Sequence, residues 1–274
     1  MATLPDAASS PPSSLPPMTR AQRVVGVADY FLRVWRRTWL GSVMSRVLSP
    51  LLFVLAFGIG LGSLVDESSG GVGGVPYLVF VAPAMVAVQG MLDAANESMW
   101  PVYGLFTWNR MYHSMLAAPL TVVDLLLGHL SVIALQGTIG ASAFVAVASL
   151  FGSFTSWWAV LCVPVGVLTC LAFATNLFAI TSRASGDGVF NLVFRIVITP
   201  LMLFSGVFFQ VSSLPLPLEL LAWVTPLWHG VELSRDAASG SLDVMTPVHV
   251  VVLLTFVVVG FVLARRGLTR RLVS

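Results

Sequence analysis

Asp93 and Glu97 stand one helical turn apart in a largely apolar stretch, and they are the strongest candidates for acid–base chemistry in the sequence. Asp124 and His129 lie early in a second such stretch, and Arg195 early in a third. A charge held in hydrocarbon costs about 2.5–3.5 kcal/mol or more, so side chains of this kind are kept there for a reason. Two roles fit them. A proton relay wants an acid deep in the membrane, on the transport path. A network of ion pairs wants acids and bases near one membrane surface. All five residues sit toward one end of their stretches, which favours the network, with Arg110 or an N-terminal arginine as partner for the acids. The remaining reactive side chains show no pattern. His113, His129, His229 and His249 are scattered and read as packed, hydrogen-bonded histidines, so no metal site is expected. Cys162 and Cys170 are too far apart along one apolar helix to form a disulfide.

Several enzyme classes are excluded. All 14 basic residues are arginine, and a phosphate-binding loop of the Gly-x-x-x-x-Gly-Lys-Ser/Thr type needs a lysine. His-Glu-x-x-His is absent. An intramembrane serine protease needs its serine in a Gly-flanked turn, and the nearest fragment, Ser205-Gly206, has Leu203 where the first glycine belongs. No residue is assigned a catalytic role.

The elements that carry these residues are membrane elements. Some 57% of the chain is hydrophobic and 9% is charged, against about 25% charged in a soluble domain. The mean hydropathy is +0.92. A hydrocarbon core of about 30 Å takes about 20 apolar residues of helix. Six such stretches are expected at about 42–65, 76–98, 119–151, 157–180, 189–210 and 246–264. Residues 1–19 are rich in Pro and Ser and read as a disordered cytosolic tail. Residues 21–40 read as an amphipathic interfacial helix: Val24, Ala28, Phe31, Trp35 and Trp39 recur at helical spacing, with Arg23, Arg33, Arg36 and Arg37 beside them. The segment 211–241 is apolar but broken by Pro215, Pro217 and Pro226, and reads as a re-entrant helical hairpin near 217–224 and 226–238. Orientation follows the arginines: with both termini in the cytosol, Arg235 alone lies outside. The expected fold class is an all-α integral membrane protein with six transmembrane helices, occupying 20–274, in the plasma membrane.

Four blocks of sequence then carry a resemblance: 48–65 (LSPLLFVLAFGIGLGSLV), 77–87 (YLVFVAPAMVA), 106–130 (FTWNRMYHSMLAAPLTVVDLLLGHL) and 198–235 (ITPLMLFSGVFFQVSSLPLPLELLAWVTPLWHGVELSR). The last holds Phe-Ser-Gly at Phe204–Gly206 and Pro-Leu-x-His at Pro226–His229. Together they resemble the permease subunits of type-2 ABC exporters, on the nodulation-factor (lipo-oligosaccharide) and drug exporter branch, over roughly 28–271. That family often has Gly-Glu where this chain has Gly128-His129, so no carboxylate role is carried over to that position.

The resemblance implies two permeases, the second identical or a paralogue, with two separate cytosolic ATPases that bind the ATP and Mg. It implies no cofactor in this chain and no nucleic-acid partner. It implies a coupling helix at about 103–116, docked on the ATPase through Phe106, Trp108, Asn109, Arg110, Met111, Tyr112, His113 and Met115. It also implies a substrate path where the first and fifth spans meet in the dimer, with Phe53, Phe57, Met202, Phe204, Phe208, Phe209 and Gln210 as candidates. So apolar a path suits a lipid-linked glycan, a lipid or an amphipathic compound. A stand-alone proton-driven carrier using Asp93, Glu97 or Asp124, and a membrane scaffold, are the competing readings.

Overall fold

The structure, a computed structural model, describes residues 18–154, 156–241 and 243–273. The expected disordered tail therefore lies almost wholly outside the described residues. Those residues are built from helices: α1 (Arg20–Trp35), α2 (Trp39–Ser69), α3 (Tyr77–Ser98), α4 (Trp100–Thr107), α5 (Met111–Leu116), α6 (Val122–Leu150), α7 (Cys162–Thr181), α8 (Gly188–Phe204), α9 (Leu216–Val224), α10 (Pro226–Ser239) and α11 (Thr246–Leu272).

Among the described residues, five helices are long and apolar enough to cross a membrane: Trp39–Ser69, Tyr77–Thr107 (α3 continued by α4), Val122–Leu150, Trp157–Thr181 (α7 with its leading turn) and Thr246–Leu272. The fifth of the six expected stretches differs. Helix α8 ends at Phe204, short of the expected 210. At 1.5 Å per residue it reaches only about 25 Å. The cause is local: Gly206 has φ +77°, a conformation that leaves the helix, and a Cβ there would come within 2.6 Å of Val211 Cγ2. Phe208, Phe209 and Gln210 thus belong to the irregular segment after the span rather than to the span itself.

Helices α3 and α7 form the centre of the bundle, with α6, α10 and α11 packed around them. Small residues set the approach. A Cβ on Gly90 of α3 would lie 2.5 Å from the carbonyl oxygen of Gly166 on α7, and one on Gly260 of α11 would lie 2.5 Å from Thr175 Oγ1. Tight backbone contact of this kind replaces the hydrophobic drive that lipid cannot supply between helices. The α7–α11 seam is also tied by Asn176 Nδ2, which donates to the carbonyl of Phe256 at 3.0 Å. Helix α3 breaks at Met99, two residues before Pro101, and Thr181 Oγ1 donates to the Ser98 carbonyl at 2.9 Å.

Helix α2 is the outlier, with most of its apolar surface exposed. Its residues Val54–Gly62 form a π-helical segment. Residues two apart fall on different faces of any helix, so Gly58, Gly60 and Gly62 cannot all serve one interface. Of the three only Gly58 faces a neighbouring helix closely: a Cβ on it would meet the Leu78 side chain at 3.1 Å.

The amphipathic helix ends earlier than expected, at Trp35, and a turn at 36–38 separates it from α2. Its capping box, Thr19 with Gln22, defines its start. It buries Val27 and Phe31 against α6, where a Cβ on Gly128 would lie 2.6 Å from Val27 Cβ. The two short helices expected before the last span are present as α9 and α10, with Thr225 capping the second by accepting from Trp228 N.

Candidate functional site

The chain reverses direction between α4 and α5, and this elbow carries the residues expected to meet a partner. Thr107 closes α4, and the amides of Trp108 and Asn109 both donate to the Gly104 carbonyl, at 3.0 and 2.9 Å. Arg110 then takes φ +47°, the sole positive φ of a non-glycine residue among the described residues. A left-handed arginine is unfavourable by about 1 kcal/mol or more, so the surroundings hold it there. The reversal leaves Trp108 64% exposed, with Asn109, Arg110 and His113 exposed beside it. Its indole folds back on Gly104, where a Cβ would meet Cε3 at 2.9 Å.

Two of the expected anchors do not face outward. Phe106 is 4% exposed and Tyr112 is fully buried, both in the main core. They brace the elbow from beneath. Arg271 at the end of α11 lies over the Phe106 ring at 4.2 Å and donates to the Ala184 carbonyl at 2.7 Å. The Tyr112 hydroxyl lies 2.6 Å from His129 Nδ1, and the His129 ring stacks on Phe31 of α1 at 3.9 Å. Burial pushes the Tyr112 hydroxyl pKa well above its usual value, so it stays protonated. Met111 and Met115 are half-buried. The presented set is therefore Trp108, Asn109, Arg110 and His113.

The intramembrane polar residues do not form one network. Asp93 and Glu97 share one partner, Arg46 of α2, in place of Arg110 or an arginine of the N-terminal helix. Arg46 Nη1 lies 2.6 Å from Asp93 Oδ2, and Nη2 lies 3.5 Å from both Glu97 Oε1 and Gln136 Oε1. Gln89 Nε2 donates to Asp93 Oδ1 at 3.1 Å. Asp124 serves elsewhere. It caps α6 through the Thr121 amide at 3.0 Å and accepts from Arg23 Nε of α1 at 2.8 Å. His129 belongs to the Tyr112–Phe31 stack, and Arg195 is exposed on α8 with no ion pair among the described residues. Arg110, once a candidate partner for the acids, points away at the elbow surface. Arg46 was legible in principle: Ser42, Ser45, Arg46 and Ser49 form a polar stripe at helical spacing, facing Gln89, Asp93 and Asn96 across one cleft.

Three of the aromatic candidates converge within one chain, Phe53, Phe57 and Phe208. Phe53 and Phe57 of α2 stack at 4.6 Å, and Phe57 stacks on Phe208 at 5.3 Å. Met202 and Phe209 are half-buried nearby in sequence, Phe204 is 39% exposed, and Gln210 is exposed.

Two further features lie at the end of the bundle remote from the elbow. Arg235 of α10 lies over the Phe80 ring at 3.9 Å and donates to the Gly206 carbonyl at 2.6 Å and to Glu232 Oε1 at 2.8 Å. It thereby satisfies backbone that the early end of α8 leaves unpaired. The histidines are not all scattered: His229 Nδ1 and His249 Nδ1 are 2.8 Å apart, joining α10 to α11. Twenty residues of sequence separate them, and nothing in the local pattern announces the contact.

Comparison with known proteins gives this arrangement a family. The profile of the ABC-2 type transporter family matches residues 22–238. The chain belongs to the ABC-2 type transporter family. It is 33% identical over 241 residues to nodulation protein J of Sinorhizobium fredii, covering 88% of this chain and 90% of that one. It is 31% identical over 250 residues to nodulation protein J of Rhizobium leguminosarum bv. viciae, covering 88% and 95%. The inner membrane transport permease YadH of Escherichia coli is 23% identical over 85% of this chain and 88% of its own length. Family and helices together make the chain a multi-pass membrane protein of transporter type.

Proposed function

We propose that this chain is the membrane-spanning permease subunit of an ATP-driven ABC exporter. It works as a pair with a second permease, identical or paralogous, and two cytosolic ATPase subunits bind and hydrolyse the nucleotide. Its cargo is a lipid-linked glycan, a lipid or another amphipathic compound leaving the cytosol. The observation that carries this reading is the elbow: a strained reversal that presents Trp108, Asn109, Arg110 and His113 to a partner and is braced from behind by buried aromatic rings. Trp and Arg are the residues that dominate protein interfaces. Closure of the ATPases would push on the elbow and, through α3 and α4, rock the bundle as a near-rigid body.

In this reading both termini and the elbow face the cytosol, since the arginines of α1, the elbow and the end of α11 then lie inside. Helix α8 with the irregular segment after it makes the fifth crossing of six. Helices α9 and α10 dip into the outer leaflet and return, which accounts for the exposure of Leu216, Leu221 and Val224 on α9. The column Phe53–Phe57–Phe208 faces the cargo path where α2 meets the irregular segment after α8. A proton-driven carrier would instead have to work through Asp93, Glu97 or Asp124, and each of these acids is paired with an arginine.

The test is reconstitution with the cognate ATPase in proteoliposomes. Trp108→Ala with Arg110→Ala is expected to lower ATP-dependent export by about tenfold or more, the effect of losing one hot-spot pair, while the melting temperature holds. Export that continues without any ATPase would overturn the reading. Orientation is checked with single cysteines in a background lacking Cys162 and Cys170. Ser68→Cys and Ser241→Cys should react with an impermeant thiol reagent from outside and Ser114→Cys should not, and the reverse pattern would invert the topology.

A further inference from the structure

A cavity of about 380 Å³ lies beneath α1, bounded by α2, α4 and α6. That volume is within the range of about 300–1,000 Å³ that small-molecule sites occupy. Its lining is of two kinds. Tyr30 and Trp35 of α1, with Pro101 and Leu105 of α4, give flat apolar walls, while Glu97 and Gln136 bring a carboxylate and an amide. The Trp35 indole Nε1 is buried and has no hydrogen-bond partner among the described residues. An orphaned buried donor of this sort costs about 1–3 kcal/mol.

The cavity does not end there. A second cleft of about 310 Å³ between α2 and α3, lined by Ser45, Ser49, Gln89 and Asn96, shares Ser42 and Glu97 with the first. Arg46 and its acids sit where the two meet. A track of hydroxyls, amides and charges thus runs from beneath the interfacial helix into the span, on a chain that is otherwise apolar. Lipid tails have no use for such a track, and a packed helix seam needs no cavity.

From this juxtaposition we infer that the α1 cavity is a loading site for the polyhydroxylated head of an amphipathic cargo, lying within a single subunit and apart from the aromatic column of α2 and the segment after α8. Sugar hydroxyls both donate and accept, so they match a set holding a free indole N–H, a carboxylate and a side-chain amide together. The apolar face of a sugar ring matches the Tyr30 and Trp35 rings. Arg46 acts as a positioning residue: its contacts at 3.5 Å hold Glu97 Oε1 and Gln136 Oε1 side by side. The acyl tail would remain in the inner leaflet alongside α2, whose outer face is exposed.

The inference rests on the exporter reading for its cargo, but its test needs no ATPase. The full chain in phosphatidylcholine nanodiscs is exposed to an alkyl glucoside carrying a diazirine, and separately to the phosphocholine of the same chain, and adducts are mapped by mass spectrometry. The glucoside is expected to label peptides containing Trp35 and Leu105, and excess octyl glucoside should compete it away. Trp35→Phe keeps the ring and removes the N–H, and Glu97→Gln removes the charge. Each should lower that labelling by about tenfold, the worth of one hydrogen bond to or from a charged or buried group. The melting temperature reports folding, and if Glu97→Gln proves unstable, Trp35→Phe decides alone. Equal labelling by both probes marks a general lipid pocket and overturns the inference, as does labelling unchanged in the variants. Failed labelling beside intact ATP-dependent export removes this site and leaves the exporter. Intact labelling without ATP-dependent export does the reverse.

Discussion

Two arginines at opposite ends of the bundle, Arg46 buried and Arg235 half-buried, are held in different ways. Arg46 meets side chains: two carboxylates and an amide from α3 and α6. Arg235 meets mainly backbone: the carbonyls of Gly206 and Phe80, with the Phe80 ring beneath it and Glu232 one turn back on its own helix. The first joins α2, the least packed span, to the centre. The second repairs the irregular segment after α8. An arginine bound to carboxylates can exchange partners, because Asp93, Glu97 and Gln136 offer alternatives within reach. One bound to backbone carbonyls of two elements, α3 and the segment after α8, has a fixed seat.

The largest effect is expected at Arg46. Arg46→Met strands two acids in the interior, and breaking a buried pair in this way costs about 3–5 kcal/mol. The double variant Arg46→Met with Asp93→Leu should recover more than half of that loss, since it removes the more deeply buried of the two stranded acids, while Glu97 keeps partial access to solvent. Thermal unfolding in nanodiscs measures both. A double variant no more stable than Arg46→Met would mean that the arginine acts through something other than Asp93.

Arg235→Met should cost less, about 1–3 kcal/mol for the carbonyls it leaves unpaired. Here no acid removal should help: adding Glu232→Gln is expected to leave the loss unchanged within about 0.5 kcal/mol, the ordinary limit of additivity for uncoupled sites. Recovery comparable to that at Arg46 would erase the contrast between the two ends.

The same contrast sorts what the sequence made legible. Long apolar runs and arginine counts are local signals, and they place the starts of five long helices and of both short ones before α11 within a few residues, but not every end: the last helix runs on to Leu272 where 264 was expected, because its arginines continue the helix beyond the apolar run. The end of α8 is not legible in the sequence, because Phe208 and Phe209 continue the apolar pattern past Gly206 and hydropathy does not register a positive φ. At the elbow, the family resemblance names the segment, but neither it nor composition tells which side chains face inward, and Phe106 and Tyr112, expected as surface anchors, are both core. Arg46 and the α1 cavity depend on which helices lie side by side, a matter of long-range packing. A serine stripe on one helix and an amide–acid stripe on another hinted at a shared polar cleft, but only their juxtaposition makes the site.

The smallest expected effect lies at the remote end, where His229 ties α10 to α11. Its Nε2 lies 2.9 Å from the Trp223 carbonyl, which can only accept, so that nitrogen carries a proton. In neutral His229 the Nδ1 is then an acceptor, and at 2.8 Å it must receive the proton of His249 Nδ1. The two histidines are thus fixed in opposite tautomers, His229 protonated on Nε2 and His249 on Nδ1. Imidazole nitrogen-15 spectra of the labelled chain near neutral pH should show this pair, and finding both rings in one tautomer would remove the bond. His249→Phe keeps the bulk and deletes the donor, and it is expected to cost about 1 kcal/mol, the net worth of one neutral hydrogen bond. That figure should fall below the loss at Arg235, because His249→Phe deletes a single neutral hydrogen bond and leaves His229 bound to the Trp223 carbonyl, whereas Arg235→Met strands the carbonyls of both Gly206 and Phe80.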